Sequence, residues 1–275
     1  MNYKKLMTHC MVLGAFAFGF CYWQNNHIQV TKHTYTTNIP EDLDGFTITQ
    51  VSDLQSKSFG ADQNSLLEKV AQTNPNIIVI TGDLIDRNHT DIEASMTFIA
   101  GARKIAPIYF VTGNHEHQSG VWEELSDLLI EADVTILDNG KSIIEYNNEI
   151  ITLIGLADKR VNPYYAEALS TLTQGMNPNG LTILLSHRPE LFESYAEYPI
   201  DLAFTGHAHG GQIRLPFVGG LFAPNQGFFP EYTSGAYEIN DTTMYVSRGL
   251  GNSTFPIRFG NRPEIVVVTL EAEEM

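Results

Sequence analysis

The feature that most constrains this chain is a series of short, almost wholly apolar stretches alternating with helical patterns at roughly 30-residue spacing. Phe46–Val51 is strand-like, Leu66–Ala71 has helical spacing, and Ile77–Thr81 reads as a strand buried on both faces. Ile92–Ala102 then predicts a helix, Pro107–Thr112 a strand and Val121–Ala132 another helix. That rhythm predicts βαβ units and a parallel sheet covered by helices. Ile28–Tyr35 alternates and predicts an earlier strand. Further on, Ile143–Ile154 predicts a hairpin turning at Asn147-Asn148, and Leu181–Leu185 and Leu202–Phe204 predict short buried strands. Ala236–Ile239, Met244–Ser247 and Ile265–Leu270 predict late strands between Gly, Asn and Pro loops. No repeat, Pro/Ser-rich linker or charge block divides this region, so residues 24–275 are expected to form one catalytic domain.

Composition narrows the partners. Hydrophobic residues at 43% and charged residues at 17% exclude a disordered chain. Asp and Glu number 32 against 16 Lys and Arg, a formal charge of −16. Such a surface repels polyanions and excludes a nucleic-acid binder working through a basic stripe. An anionic substrate would need local cations to hold it, which points to metal ions. Both cysteines, Cys10 and Cys21, fall in the first apolar run, so the rest of the chain offers no disulfide and no thiolate metal site.

That run, Leu6–Trp23, follows Lys4 and Lys5 and ends on the aromatic pair Tyr22-Trp23. As a helix it would be roughly 27 Å long, close to a hydrocarbon core. Residues 1–23 are therefore expected to be a single-pass signal anchor, with the lysines inside and the catalytic domain on the extracytoplasmic side of the cell membrane. The alternative is a cleaved signal peptide and a secreted product. Ala15-Phe16-Ala17 offers a cleavage pattern, but in mid-run, and Phe20 disfavours a lipoprotein site at Cys21.

Five short motifs stand directly after predicted strands: Ser52-Asp53-Leu54-Gln55, Gly82-Asp83-Leu84-Ile85-Asp86, Gly113-Asn114-His115-Glu116, Ser186-His187-Arg188 and Gly206-His207-Ala208-His209. Ligands of open α/β sheets bind just beyond the carboxyl ends of strands. Asp, Asn and His supply the oxygen and nitrogen donors that divalent metals take, and the preceding glycines allow tight turns. Taken singly, Asp53 and Asp83 could instead be helix N-caps, and a lone histidine is more often structural. His9, His27, His33 and His89 are read as structural or surface residues, and His117 as a loop residue near His115.

In this order the motifs resemble the calcineurin-like metallophosphoesterases, over roughly residues 46–270, and the stretches Gly210-Gly211-Gln212 and Ser247–Gly251 resemble the membrane-associated bacterial branch of that family. The resemblance implies a four-layer αββα sandwich and a hydrolase that uses two divalent ions to activate water on phosphodiester or pyrophosphate bonds. It implies that Asp83 bridges the ions, that Asp53 and His209 hold one, and that Asn114, His187 and His207 hold the other. His115 would stabilise the phosphate or donate a proton, and Asp86 would orient a ligand by hydrogen bond. Read from the residues alone, Arg188 and Arg248 either hold a phosphate oxygen or merely pair with the acidic surface.

The departure is Gln55, where the family usually has a histidine. A glutamine offers only an amide oxygen, which weakens that ion's site or favours Mn²⁺ or Mg²⁺ over Zn²⁺, within an expected pair of divalent ions drawn from Mn, Fe, Zn or Mg. Manganese is the expected ion. The alternative function is a catalytically weakened surface protein that binds a metal and a phosphorylated ligand. The stretch Leu215–Tyr232, rich in Phe, directly follows His207 and His209; it is either a self-packed loop or an apolar lip touching a bilayer or acyl chain. With the expected anchor, it makes a lipid-linked phosphoester reasonable, and the resemblance supplies UDP-diacylglucosamine-type molecules of lipid metabolism as one class.

Overall fold

A computed structural model describes residues 3–36, 39–177, 180–252 and 257–272; the side chains of Lys4, Lys5 and Cys10 lie outside the described set. The chain runs α1 (Tyr3–Asn26), β1 (Gln29–Tyr35), β2 (Thr47–Val51), α2 (Asn64–Ala71), β3 (Ile77–Thr81), α3 (Ile92–Ala102), β4 (Ile108–Val111), α4 (Asn114–Ser119), α5 (Trp122–Glu131) and β5 (Thr135–Ile136). It continues as β6 (Gly140–Tyr146), β7 (Glu149–Gly155), α6 (Tyr165–Thr173), β8 (Leu181–Leu185), α7 (Phe192–Tyr195) and β9 (Leu202–Thr205). Four two-residue strands follow, β10 (Arg214–Leu215), β11 (Gly219–Gly220), β12 (Phe222–Ala223) and β13 (Gly227–Phe228), and then β14 (Gly235–Ile239), β15 (Thr242–Val246) and β16 (Glu264–Leu270).

The long strands form two six-stranded sheets, ordered β1-β16-β2-β3-β4-β5 and β14-β15-β9-β8-β7-β6. Strands β2 to β5 are parallel as the βαβ rhythm predicts, and so are β7, β8, β9 and β15. The predicted hairpin is β6–β7, and Asn147 and Asn148 both take positive φ at its turn, which asparagine tolerates. The last strand departs from the simple reading: β16 inserts antiparallel beside β2 and parallel to β1.

Because the strands are apolar on both faces, each sheet can bury both. Ile48, Val79 and Val111 of one sheet meet Ile151, Leu153, Ile183, Leu185 and Phe204 of the other, forming the inter-sheet core. The opposite face of the first sheet, with Ile78, Ile80 and Phe110, packs on Leu66, Val70, Phe98, Ile99, Leu125 and Leu129 from α2, α3 and α5. The far face of the second, with Ile154, Leu184 and Val246, packs on Leu169, Leu172, Phe192 and Tyr195 from α6 and α7. Each such side chain contributes roughly 1.5–3 kcal/mol by leaving water. The order of layers is helix, sheet, sheet, helix.

The expected membrane span requires correction. No helix among the described residues is long and apolar enough to cross a membrane. The run is helical, but Thr8, His9, Gly14 and Gly19 interrupt its apolar character, and the helix continues into Gln24-Asn25-Asn26. Its last turn docks on the sandwich instead. Lys57 donates to the Asn25 carbonyl, the Arg258 N–H donates to Asn25 Oδ1 at 3.3 Å, and the Arg262 guanidinium lies 5.2 Å from the Trp23 ring centre. Cations at a helix C-terminus complement its dipole. Earlier apolar side chains of α1, Phe16 and Phe18 among them, are exposed.

Candidate metal centre

All five motifs leave the carboxyl ends of neighbouring strands: β2, β3 and β4 in one sheet, β8 and β9 in the other. The sandwich sets these edges against each other, so residues far apart in sequence converge. Asp53, Gln55, Asp83, His207 and His209 all have φ between 47° and 63°. Left-handed backbone at non-glycine residues costs about 1–3 kcal/mol each and persists where surrounding structure fixes it. Of the three glycines expected to make tight turns, Gly82 has positive φ, whereas Gly113 is extended. A Cβ on Gly113 would strike the Asp83 carboxylate, and one on Gly206 would strike Ser52 and Asp53. Close approach dictates glycine at both.

Two overlapping triads result: Asp83, His187 and His207, and Asp53, Asp83 and His209, with the donor atoms of each within 4.8 Å of one another. Asp83 is common to both. His187 Nε2 lies 3.3 Å from Asp83 Oδ2 and 3.1 Å from His207 Nδ1; His209 Nε2 lies 3.3 Å from Asp53 Oδ1. Gln55 is buried, with its amide nitrogen 3.4 Å from His209 Nε2, and turning the amide over would put its oxygen there. Asn114 lines the same cleft and accepts from Arg188 Nη2 at 3.3 Å.

The donor set fits divalent ions. Asp53 Oδ1, Gln55 Oε1 and His209 Nδ1 are buried without a hydrogen-bond partner among the described residues, which a purely structural cluster would not favour. Burial lowers the pKa of His209 to about 4 and that of His207 well below its ordinary value, so both rings are neutral with lone pairs available. His187 is opposite. Burial disfavours its charge, but Asp83 and then Asp53 prevail and raise it to about 10. Asp83 is in turn held below the usual carboxylate range against its own burial, chiefly by His187.

His115 sits in the cleft, 3.8 Å from Asp83 Oδ2. Its Nδ1 accepts from the Arg87 backbone N–H at 3.2 Å, which leaves the proton on Nε2. Burial, only partly answered by Asp83 and Asp86, lowers its pKa, so the ring is a neutral donor.

Other expectations come out differently. Asp86 hydrogen-bonds no candidate ligand; its Oδ1 accepts from the N–H groups of Asn88 and His89, which shapes the loop, and Oδ2 lies 3.7 Å from His115 Nδ1. Arg188 reaches the cleft, but Asp158 grips it at 2.5 and 3.0 Å, and it also approaches His207 Nε2 at 2.6 Å and Asn225 at 2.8 Å. Arg248 is paired with Glu264 at 2.8 Å and is not among the residues lining the cleft. No helix follows Asp53 or Asp83 directly; the cap of α3 is Asp91. His117 packs against Trp122 and Thr112, His33 against Tyr245, and His27 against Trp23.

Sequence reasoning overlooked Glu116, Asp158 and Asn225. Fully buried Glu116 accepts backbone N–H groups from Asp83, Leu84 and Gly113, locking the second and third motifs together. Burial, followed by the charge of Asp83, raises its pKa. Its place beside His115 was a signal. Asp158 and Asn225 lie in loops without periodicity, and nothing in the sequence marks them.

The calcineurin-like phosphoesterase family model matches residues 46–211. The uncharacterized metallophosphoesterase YkuE of Bacillus subtilis is 33% identical over 98% of this chain and 97% of its own length. The phosphodiesterase YaeI of Escherichia coli is 28% identical over 72% of each chain. Among solved structures, a dimetal phosphatase from Danio rerio is similar with a TM-score of 0.46 and 11% identity, covering 82% of this chain and 99% of that one.

Proposed function

The chain belongs to the calcineurin-like phosphoesterase family and is a hydrolase of phosphoester bonds, and from that premise we propose that it cleaves phosphodiester or pyrophosphate bonds at the paired triads. The observation that carries this reading is the shared Asp83, flanked by one buried donor set on each side and opening on a cleft that contains His115. Asp83 would bridge two ions, Asp53, His209 and the Gln55 amide would complete one site, and Asn114, His187 and His207 the other. When bound, such ions supply Lewis acidity and a water of lowered pKa. The chain's own part is orientation and proton transfer. Asp158 holds Arg188 against His207 and Asn114, and Glu116 fixes the loops that present Asp83 and Asn114. His115 Nε2–H would donate its proton to the leaving oxygen.

Gln55 supports manganese as the ion, because an amide oxygen suits it better than zinc. The same residue favours the second reading, a metal- and phosphate-binding surface protein with little turnover. A lipid-linked substrate is supported by the lip: Pro224 and Asn225 line the cleft, and Phe228 and Phe229 just beyond are 78% and 72% exposed. A separate groove of 460 Å³ lies between Phe20 of α1, Phe217 and Phe259. Attachment to the outer face of the cell membrane would follow, with the exposed apolar side of α1 lying in the interface.

The test is hydrolysis of bis(p-nitrophenyl) phosphate by the full chain, stripped of metal and reloaded with Mn²⁺, Mg²⁺ or Zn²⁺. Metal-dependent turnover that His115→Ala lowers at least tenfold supports the enzyme. Tight manganese binding without turnover under any metal selects the binding protein. Co-flotation with anionic liposomes, lost in Phe228→Ser/Phe229→Ser, tests the lip.

A further inference from the structure

The stretch Ser247–Gly251 is not among the segments that line the cleft, yet it lies directly against one half of the centre. The Gly251 N–H donates to the Asp53 carbonyl at 2.6 Å, and the Leu250 N–H donates to the Ser52 carbonyl at 3.0 Å. A Cβ on Gly249 would come within 2.8 Å of the Asp53 Cβ, and one on Gly251 within 2.7 Å of the Gln55 Cβ. The stretch thus backs the arm Asp53-Leu54-Gln55, and Arg258 holds the stretch. Arg258 is 1% exposed, and the bonds of its guanidinium go to backbone carbonyls. Nε and Nη2 donate to Gly251, at 3.1 Å for Nε, and Nη1 donates to Arg248 at 2.9 Å. Among the described residues no carboxylate lies within ion-pair distance of it. A buried cation without a paired anion is costly for the fold, so stability alone does not account for it.

Fully buried Asn261, in the same loop, treats the other arm in the same way. Its Nδ2 donates to the His209 carbonyl at 2.7 Å and to the Gln212 carbonyl at 2.9 Å. Two facing carbonyl oxygens require the amide nitrogen there, which fixes the orientation of the side chain. The donor atoms Asp53 Oδ1, Gln55 Oε1 and His209 Nδ1 lack partners among the described residues, but the backbones that carry them do not. Both grips come from the loop between β15 and β16, and β16 itself pairs with β2, the strand that leads into Asp53.

We propose that Arg258 and Asn261 are positioning residues for the Asp53–His209 half, a bracket that sets the spacing between its two arms. The inference rests on the metal-centre reading above and goes beyond it, because neither residue hydrogen-bonds a candidate donor atom. The arms reach the centre from different sheets, Asp53 after β2 and His209 after β9. Donors that must be drawn together as an ion arrives bind it less tightly, because the ordering then counts against binding. A bracket completes that ordering during folding.

Manganese titrations of the metal-free full chain, followed by calorimetry and electron paramagnetic resonance, test the bracket with two conservative variants. Arg258→Lys keeps the charge and loses the fork, and Asn261→Asp keeps the shape but sets an acceptor against two carbonyl oxygens. Each is expected to weaken one of the two ions about 10–100-fold and to leave the other within about twofold. In a His209→Ala background, which retains only the other ion, neither substitution is expected to change the remaining affinity. Equal weakening of both ions, no weakening of either, or an effect that persists in the His209→Ala background overturns the bracket. If Arg258→Lys does not fold, Asn261→Asp decides. Hydrogen exchange of the metal-free chain reads the same device without an ion. Arg258→Lys should speed exchange of the Leu250 and Gly251 amides, and Asn261→Asp that of Gly211 and Gln212, each by about tenfold. Acceleration spread over the whole chain would show a general loss of stability and overturn the assignment. If the parent takes up no divalent ion, the metal-centre reading fails, and the local exchange effects alone decide whether the bracket exists.

Discussion

The two halves of the candidate centre share Asp83 and differ in how the protein supports the rest. On the His187–His207 side the polar atoms are hydrogen-bonded: His187 Nδ1 to the Thr81 carbonyl at 2.8 Å, His207 Nε2 to Asn225 at 2.9 Å, and Asn114 Oδ1 to Arg188. On the Asp53–His209 side, Asp53 Oδ1, Gln55 Oε1 and His209 Nδ1 have no such partner. One half is organised by the protein before any ion arrives. The other, where Asp53 Oδ2 is anchored by Ser52 Oγ at 2.6 Å and the His207 N–H at 3.1 Å but the remaining donors are not, would be completed by an ion, and the amide at position 55 would weaken that half.

The strongest way to break this comparison is to remove what the halves share. Asp83→Ala should cost roughly 10³-fold or more in kcat/KM and release metal from both halves, read by activity and by metal content after dialysis. If one ion stays bound at full affinity, the halves do not share a bridge. Next in size is Asp158→Asn, which frees Arg188 from its grip and should cost about 10–100-fold in metal affinity on the His207 side only. Equal loss on both sides would show that the support is not local.

Acidity separates the halves more gently. His187 must give up its proton to act as a ligand, and with a pKa raised to about 10 it still carries that proton at neutral pH. Loading of its half should strengthen by up to about tenfold per pH unit between pH 6 and 8. His209, lowered by burial to about 4, is already neutral there, so its half should be nearly flat over the same range. Manganese titrations at pH 6, 7 and 8 followed by electron paramagnetic resonance would distinguish one sloping site from two. The smallest effect is expected from Gln55→His, about fivefold tighter zinc on the Asp53–His209 side with little change in manganese. A larger gain for manganese would mean that the glutamine is a spacer and not a donor.

Much of this architecture was legible because buried parallel strands announce themselves. Ile77–Thr81 and Leu181–Leu185 are apolar on both faces and coincide with β3 and β8. The motifs stand out because each follows such a strand. Helix α4 was not legible: it starts on the motif residues Asn114, His115 and Glu116, runs only to Ser119 and has no apolar period to betray it. The two-residue strands β10 to β13 are too short for any alternation. Asp158 and Asn225 acquire meaning only when folding brings them to Arg188 and His207. The expected span failed for another reason: an uncharged run was read by length, whereas its glycines and polar residues leave it short of the apolarity needed.

The placement of the ligand set across both sheets has a mechanical consequence. Asp53, Asp83 and Asn114 hang from one sheet, and His187, His207 and His209 from the other, so any ion held by both acts as a staple across the inter-sheet core. Prying the layers apart would then require breaking coordination bonds as well as exposing Ile48, Val79 and Phe204 to water. The loaded protein should resist heat and proteolysis in proportion to how tightly it holds its metal, and a fragment that carries only one sheet would have nothing to fasten.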